Sequence, residues 1–207
     1  MKRLLSIFAI SLLLLGSSFA QVKVSGGFLA GLNLANASID PAPTGVDVGN
    51  LTGFGFGGVL NFGFAGFDIQ VEPMYLMGGV KYSANGQEAK SKINFFSIPA
   101  MIIYTFPTAA TQVEPYVMAG PVFGITLSSK YVDPNGTETD VKSTTSGTDF
   151  GATFGAGVKI PVGMNKVFVE ARYSLGFKNL NSDPTDNTTI KSRGIEIFAG
   201  ITFPFGM

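Results

Sequence analysis

The chain has 207 residues, with 14 basic and 14 acidic side chains and neither His nor Cys. The missing Cys excludes disulfides, thiolate chemistry and sulfur-ligated metals, and the missing His removes the commonest general base and metal ligand. Charged residues make up only 14%, against about 25% in soluble domains, while Gly (27) and Phe (19) are abundant, so a wholly water-facing surface is hard to build from this composition.

Residues 1–20 read as an export segment. Lys2 and Arg3 give a basic start, the stretch from Leu4 to Leu15 is almost wholly apolar, and Ser18 and Ala20 precede an expected cut after Ala20. Cleavage leaves 21–207 as one domain, with 12 basic against 14 acidic residues and a net charge of −2. No basic face for nucleic acid is expected from that balance. Beyond the leader no run reaches the roughly 18 apolar residues that a membrane-spanning helix needs. A chain seated in lipid would therefore have to be a closed barrel, since an open sheet leaves edge N–H and C=O groups unpaired in hydrocarbon.

Eight strands are predicted, over 22–34, 53–64, 67–82, 93–106, 113–128, 150–160, 166–177 and 193–205, most long enough to cross a bilayer at a tilt. Alternation with a period of two runs through them. In the first, Val24, Phe28, Ala30 and Leu32 share one face and Lys23, Ser25, Gly27, Gly31 and Asn33 the other. The second sets Phe54, Phe56, Leu60 and Phe62 against Gly53, Gly55, Gly57 and Asn61, and the third sets Phe67, Ile69 and Val71 against Asp68, Gln70 and Glu72. The fourth is the least regular, because Phe95, Met101 and Ile103 interrupt its polar face. Later strands return to order, as in Val167, Val169, Ala171 and Tyr173 against Glu170 and Arg172, or Ile195, Ile197 and Ala199 against Glu196.

The connections alternate in length: 35–52 long, 65–66 minimal, 83–92 medium, 107–112 short, 129–149 long, 161–165 short, 178–192 long. In an antiparallel ring this puts every long connection at one end and every short one at the other, the pattern of external loops over periplasmic turns. Both ends of the mature chain then fall on the periplasmic side. Phe64, Phe67, Tyr104, Phe106, Phe203 and Phe205 gather near the short-turn rim as an expected aromatic girdle. The competing arrangement is a soluble sandwich with these faces turned inward.

With the apolar face outward, the inward set carries the candidate network. Strand phase puts Lys23, Asp68, Glu114, Lys159 and Glu170 near the short-turn end, and Glu72, Arg172 and Glu196 nearer mid-depth. Arg172 with Glu196, and Lys159 with Glu170, are the expected neighbours. Buried charges must be paired or hydrated, and an eight-stranded barrel is only wide enough for side chains to fill. A cross-linked plug is the expected role, a narrow ion or solute path the alternative. No catalytic residue, metal site or cofactor is expected: no nucleophile–base pair or phosphate loop accompanies the carboxylates, and the Gly-x-Gly segments fall inside strands with no helix following.

In its motifs the chain resembles the small outer-membrane barrels of Bacteroidota, the PorT-like or outer-membrane beta-barrel domain proteins. The segments that carry the resemblance are GGFLAGLNLA (26–35), VEPMYLMGGVKY (71–82), FFSIPAMIIYTF (95–106), VEPYVMAGPVFGI (113–125), FGAGVKIPVG (154–163), VEARYSLGFKNL (169–180) and the terminal GIEIFAGITFPFG. The resemblance implies an all-β, eight-stranded antiparallel up-and-down transmembrane barrel. It also implies export by the general secretion route, insertion by the barrel-assembly machinery, outer-membrane lipid as surroundings and no enzymatic activity. A monomer with a structural or surface-interaction role is expected, its mature partner unidentified. The chain departs from the pattern at its end, Phe205-Gly206-Met207, where such barrels often carry a terminal aromatic residue.

Overall fold

The computed structural model describes residues 22–64, 66–108 and 113–205. The expected export segment, the Ala65 half of the first short turn, most of the 107–112 connection and the last two residues lie outside the described residues.

Among the described residues ten strands form one antiparallel sheet: β1 (Lys23–Asp40), β2 (Asp47–Phe64), β3 (Phe67–Val71), β4 (Met74–Ala84), β5 (Gln87–Thr105), β6 (Glu114–Val132), β7 (Glu138–Asp140), β8 (Thr148–Val162), β9 (Asn165–Gly176) and β10 (Thr189–Phe205). The sheet closes on itself. β1 pairs with β2 on one side and with β10 on the other, from Val24 opposite Phe205 to Asp40 opposite Thr189. Taking β3 and β4 as one broken strand and setting β7 aside gives an eight-stranded ring in sequence order. Among the described residues no helix is long and apolar enough to cross a membrane, and the ring supplies the crossing instead.

Which face is outside is settled by exposure. Phe28 (70%), Ile102 (60%) and Phe56 (52%) are exposed on the outer surface, as are Phe154, Val169 and Ile197, while the alternate positions Leu29, Val59 and Phe198 are buried within the ring. Such a continuous apolar exterior requires hydrocarbon around it. The six aromatic residues expected as a girdle are all exposed by the short-turn rim. Within it the Phe67 and Tyr104 rings lie 5.4 Å apart, and those of Tyr104 and Phe106 5.1 Å.

The predicted third strand, 67–82, is in fact interrupted at Glu72-Pro73. Pro73 has no N–H to give the ladder, so the strand splits into β3 and β4. Its carbonyl still accepts from Gly58 N (3.0 Å), and Glu72 N donates to Pro99 O (3.0 Å), so the wall stays sealed across the break. Two connections, one expected as long and one as medium, are also corrected. Much of 35–52 and 83–92 continues the strands: β1 and β2 reach Asp40 and Asp47, and β4 and β5 pair to Ala84 opposite Gln87 around an Asn85-Gly86 tip. Both tip residues have positive φ (52° and 76°), as a two-residue primed turn demands. A strand of 18 residues (β1) measures about 60 Å at 3.3 Å per residue, well beyond an apolar band of about 25 Å. Hydrophobic alternation stops at the edge of the lipid. Backbone pairing goes on without it, and the outer connections become ribbons.

On this arrangement, replacing Ile197 by Arg at the mid-depth of the lipid face destabilises the barrel by about 2–4 kcal/mol. Urea titration of the protein folded in lipid vesicles measures it; an unchanged midpoint would place Ile197 away from hydrocarbon.

Candidate functional site: a charge cluster across the lumen

Inward positions from several strands, with Glu72 at the β3–β4 break, converge on Arg172. Register sets Arg172 of β9 opposite Glu196 of β10 and Gly155 of β8, and the missing side chain at Gly155 leaves the guanidinium room to cross the lumen. Its Nη1 donates to Glu72 Oε2 at 2.7 Å and lies 3.4 Å from Glu170 Oε1. Its Nε is 2.8 Å from Glu196 Oε2, close enough for an ion pair though not aligned as a hydrogen bond. Phe198 covers the guanidinium face, 4.5 Å from ring centre to Cζ. All four charged residues are buried, none more than 5% exposed.

Two neighbours complete the cluster. Gln70 donates to Glu72 Oε1 (2.5 Å), and the Tyr116 hydroxyl donates to Glu170 Oε2 (2.6 Å). Tyr116 lies over Gly157, where a Cβ would meet the ring within 2.5 Å, so that glycine is the seat of the tyrosine. Glycine elsewhere makes room in the same way: Gly200 faces Phe168, and Gly31 and Gly55 face Phe198.

The remaining charges sit toward the periplasm. Lys159 Nζ pairs with Asp68 Oδ2 (3.0 Å) and lies 4.9 Å from the centre of the Tyr116 ring. Lys166 pairs with Glu114 (2.6 Å). Lys23 is exposed at this mouth and forms no ion pair among the described residues. With Lys23, Asp68, Glu114, Lys159 and Lys166 on its walls, the mouth is a vestibule of 1020 Å3. On the other side of the cluster a smaller cavity of 240 Å3 is lined by Asn33, Leu76, Phe95, Val122, Leu180 and Glu196, among others. The β6–β8 and β9–β10 connections are stitched over it: Thr145 bridges to Asn181, Ser146 N donates to Leu180 O (2.7 Å) and Ser182 N to Thr144 O (2.9 Å).

Two sequence expectations change. Lys159 is joined to Asp68, not Glu170, and Glu170 belongs at mid-depth with Arg172. Glu170 and Arg172 lie two residues apart on β9 and point the same way, so they sit side by side, while Lys159 is opposite Phe168 and turns to Asp68. The inward face is also less polar than expected. Met101 and Ile103 are fully buried with Tyr116 and Met118, and Leu29, Val59, Met74, Phe168 and Phe198 form a second apolar cluster. The apparent defect in the fourth strand is therefore lumen filling. Sequence reasoning passed over Gln70, Tyr116 and Lys166. A signal for Tyr116 was present in the inward phase it shares with Glu114.

Between the vestibule and the outer cavity, Arg172, Glu72, Glu170, Met101, Phe198 and Tyr116 leave no exposed surface above 2%. These side chains fill the mid-section of the lumen. Chemically they offer carboxylates and a guanidinium with no nucleophile beside them, and among the described residues no group of three or more His, Cys, Asp or Glu is arranged to hold a metal ion.

Residues 7–203 match the model of a family described as outer membrane protein beta-barrel domain. Among solved structures, the chain is similar to the Neisserial surface protein A at 20% identity, covering 88% of this chain and 97% of that one, with a TM-score of 0.52. It is also similar to the outer membrane protein OprG from Pseudomonas aeruginosa (12% identity, 90% and 96% covered, TM-score 0.48). A third likeness is to Ail, the attachment invasion locus protein of Yersinia pestis (14% identity, 86% and 98% covered, TM-score 0.47). No curated protein matches the chain.

Substituting Met for Arg172 leaves three buried carboxylates without their cation. It should destabilise the folded barrel by about 3–5 kcal/mol, the cost of breaking one side of a buried ion pair, read as a fall in the urea midpoint in vesicles. A change within the scatter of surface substitutions would show that the cluster does not brace the wall.

Proposed function

The chain belongs to the outer membrane protein beta-barrel domain family, and from that premise we propose that its barrel is a closed, non-conducting body whose work is done at the cell surface. As a member it is a non-enzymatic barrel seated in outer-membrane lipid, inserted by the barrel-assembly machinery, with its long connections outside the cell and Lys23 and Phe205 at the periplasmic side. In this reading residues 1–20 are a leader removed after Ala20, and the mature barrel works as a monomer without cofactor or nucleic acid. The finer kinship with PorT-like barrels of Bacteroidota belongs to the same reading and rests on the motif order from Gly26 to Gly206.

The observation that carries the proposal is the burial of the side chains at the centre of the lumen. The Arg172 cluster and its apolar neighbours fill the mid-section, while the outer ribbons rise beyond the lipid and carry most of the remaining charge. The candidate network of Lys23, Asp68, Glu72, Glu114, Lys159, Glu170, Arg172 and Glu196 then serves as bracing: the last three with Glu72 fix the centre, and the others keep the periplasmic mouth wet. Acidic turns in the outer connections suit contact with water. The Asp183 and Asp186 carboxyls are held below their usual values by hydrogen bonds from Thr185 and Thr188, so both turns are ionised at neutral pH.

A second reading, small-solute handling, is favoured by one feature, the outer cavity of 240 Å3. It supports holding a molecule at the outer face better than passing one across, because its floor is the cluster itself.

Planar-bilayer recording separates the two. Folded protein should give no discrete openings above the leak of the lipid alone; reproducible unitary steps that vanish on denaturation would favour the channel. N-terminal sequencing of protein recovered from outer membranes should begin at Gln21. Retention of Met1 would refute the leader.

A further inference from the structure

The outer ribbons are not evenly charged. Lys81 of β4 stands directly opposite Lys90 of β5, and Lys92 of β5 directly opposite Lys130 of β6. Their neighbours fix the direction in which they point. Val80 (3% exposed), Ala89 (8%) and Ser129 (1%) are buried inward, and Ser91 and Ile93 line the outer lumen cavity. The alternate positions, the four lysines, therefore face outward. They begin two outward positions above Phe96 and just beyond Leu127, both exposed apolar residues of the lipid belt. That is the height of headgroups, not of acyl chains.

Like charges placed directly opposite each other destabilise a ladder, and here two such pairs sit side by side. Among the described residues three carboxylates answer them, one of which, Asp140 of β7, stands directly opposite Lys130. Glu138 of β7 reaches both Lys92 (3.2 Å) and Lys130 (2.7 Å), and Glu88 reaches Lys81 (2.8 Å). Lys90 forms no ion pair among the described residues. On the far side, Lys191 and Arg193 of β10 alternate with inward Ser192 and Gly194 and face outward at the same end. The periplasmic end differs: its lysines, Lys23, Lys159 and Lys166, line the vestibule. Among the described residues, the outward-facing cations of the ring all lie at the external boundary of the lipid.

We propose that Lys81, Lys90, Lys92 and Lys130 form a binding surface for the phosphate groups of lipids in the external leaflet, with Glu138 occupying part of it as an internal competitor. The inference rests on the reading of the barrel as a surface-acting body and names what one of its ribbons holds. The ladder supplies four ammonium donors on one flat face, two of them shared with a single carboxylate. A phosphate monoester in the headgroup layer presents several acceptor oxygens at that height. Lysines near a charged membrane surface each add about 1 kcal/mol of attraction. The Glu138 carboxyl is held below its usual value by its hydrogen bonds to Lys130 and Lys92, so it stays ionised and must be displaced or shared when phosphate arrives.

The test uses the full mature protein folded in a neutral detergent. Binding of phosphatidic acid and of phosphatidylcholine is compared by native mass spectrometry and by competition with a fluorescent phosphatidic acid. Phosphatidic acid should bind more tightly, and the preference should shrink as salt rises. Lys90→Gln with Lys92→Gln should weaken phosphatidic acid binding about thirtyfold and leave phosphatidylcholine unchanged, while Glu138→Gln should strengthen it severalfold. Inorganic phosphate alone should compete poorly, because it lacks the acyl chains that the belt below the ladder holds. Equal binding of both lipids, or unchanged binding in both variants, overturns the proposal. Efficient displacement by inorganic phosphate assigns the surface to a free anion and overturns the lipid source. All variants lie on exposed ribbons, and heat-modifiable gel migration confirms that each is folded. Openings in a planar bilayer would refute the closed-body reading while leaving this lipid preference standing, so the two fail separately.

Discussion

A backbone in hydrocarbon has no water to satisfy its N–H and C=O groups, and each unpaired one costs several kcal/mol. That constraint organises the whole molecule. It requires β1 and β10, the two ends of the sheet, to find each other, and it explains why even the Pro73 interruption is repaired by hydrogen bonds to Gly58 and Pro99. Once the ring is closed, every second side chain must be acceptable to lipid, and the others must share a bore too narrow for water to fill freely. The apolar exterior and the crowded interior are therefore two consequences of one closure.

The interior meets its share of the constraint in two ways. Glycines on one strand make room for large side chains from the next, as Gly157 does for Tyr116 and Gly200 for Phe168. Charge is then concentrated around one guanidinium whose planar fork reaches Glu170 on its own strand, Glu196 on β10 and Glu72 at the β3–β4 break. Such a cluster is a poor source of net stability compared with apolar packing, because all its members are desolvated. What it adds is registry: an Arg172 on β9 tied to Glu72 at the β3–β4 break and to Glu196 on β10 tolerates no slip of one strand against another, since a slip by one residue would send its partners out to the lipid. The stitched outer connections close the same space from above.

Much of this was legible in the residues. Alternation in Phe54 to Phe62 or Val167 to Tyr173, together with the long–short rhythm of the connections, carries the strand number, the orientation and the closed fold. Arg172 beside Glu196 followed from their shared phase on adjacent strands. The rest depended on quantities that a single chain does not display. Stagger between strands decided that Lys159 reaches Asp68 and not Glu170, across 91 positions of sequence. Hydrophobic patterning marks lipid, not pairing, so the ribbons beyond the membrane looked like loops. Inward Leu29, Val59 and Phe198 look like faults until the glycines facing them are brought into register. The lysine ladder was hidden for the same reason, since Lys92 and Lys130 become neighbours only through pairing.

Closure of β1 on β10 is the claim on which lipid contact, bore and outer surface all rest. Ala30 and Ala199 are direct partners across that seam, both face outward, and the chain has no cysteine of its own. A variant with Cys at both positions, folded in vesicles and oxidised, should form an intramolecular disulfide nearly quantitatively, seen as a shift in gel migration after denaturation without reductant. An absence of that crosslink in protein that still resists extraction from the membrane would contradict the closed ring.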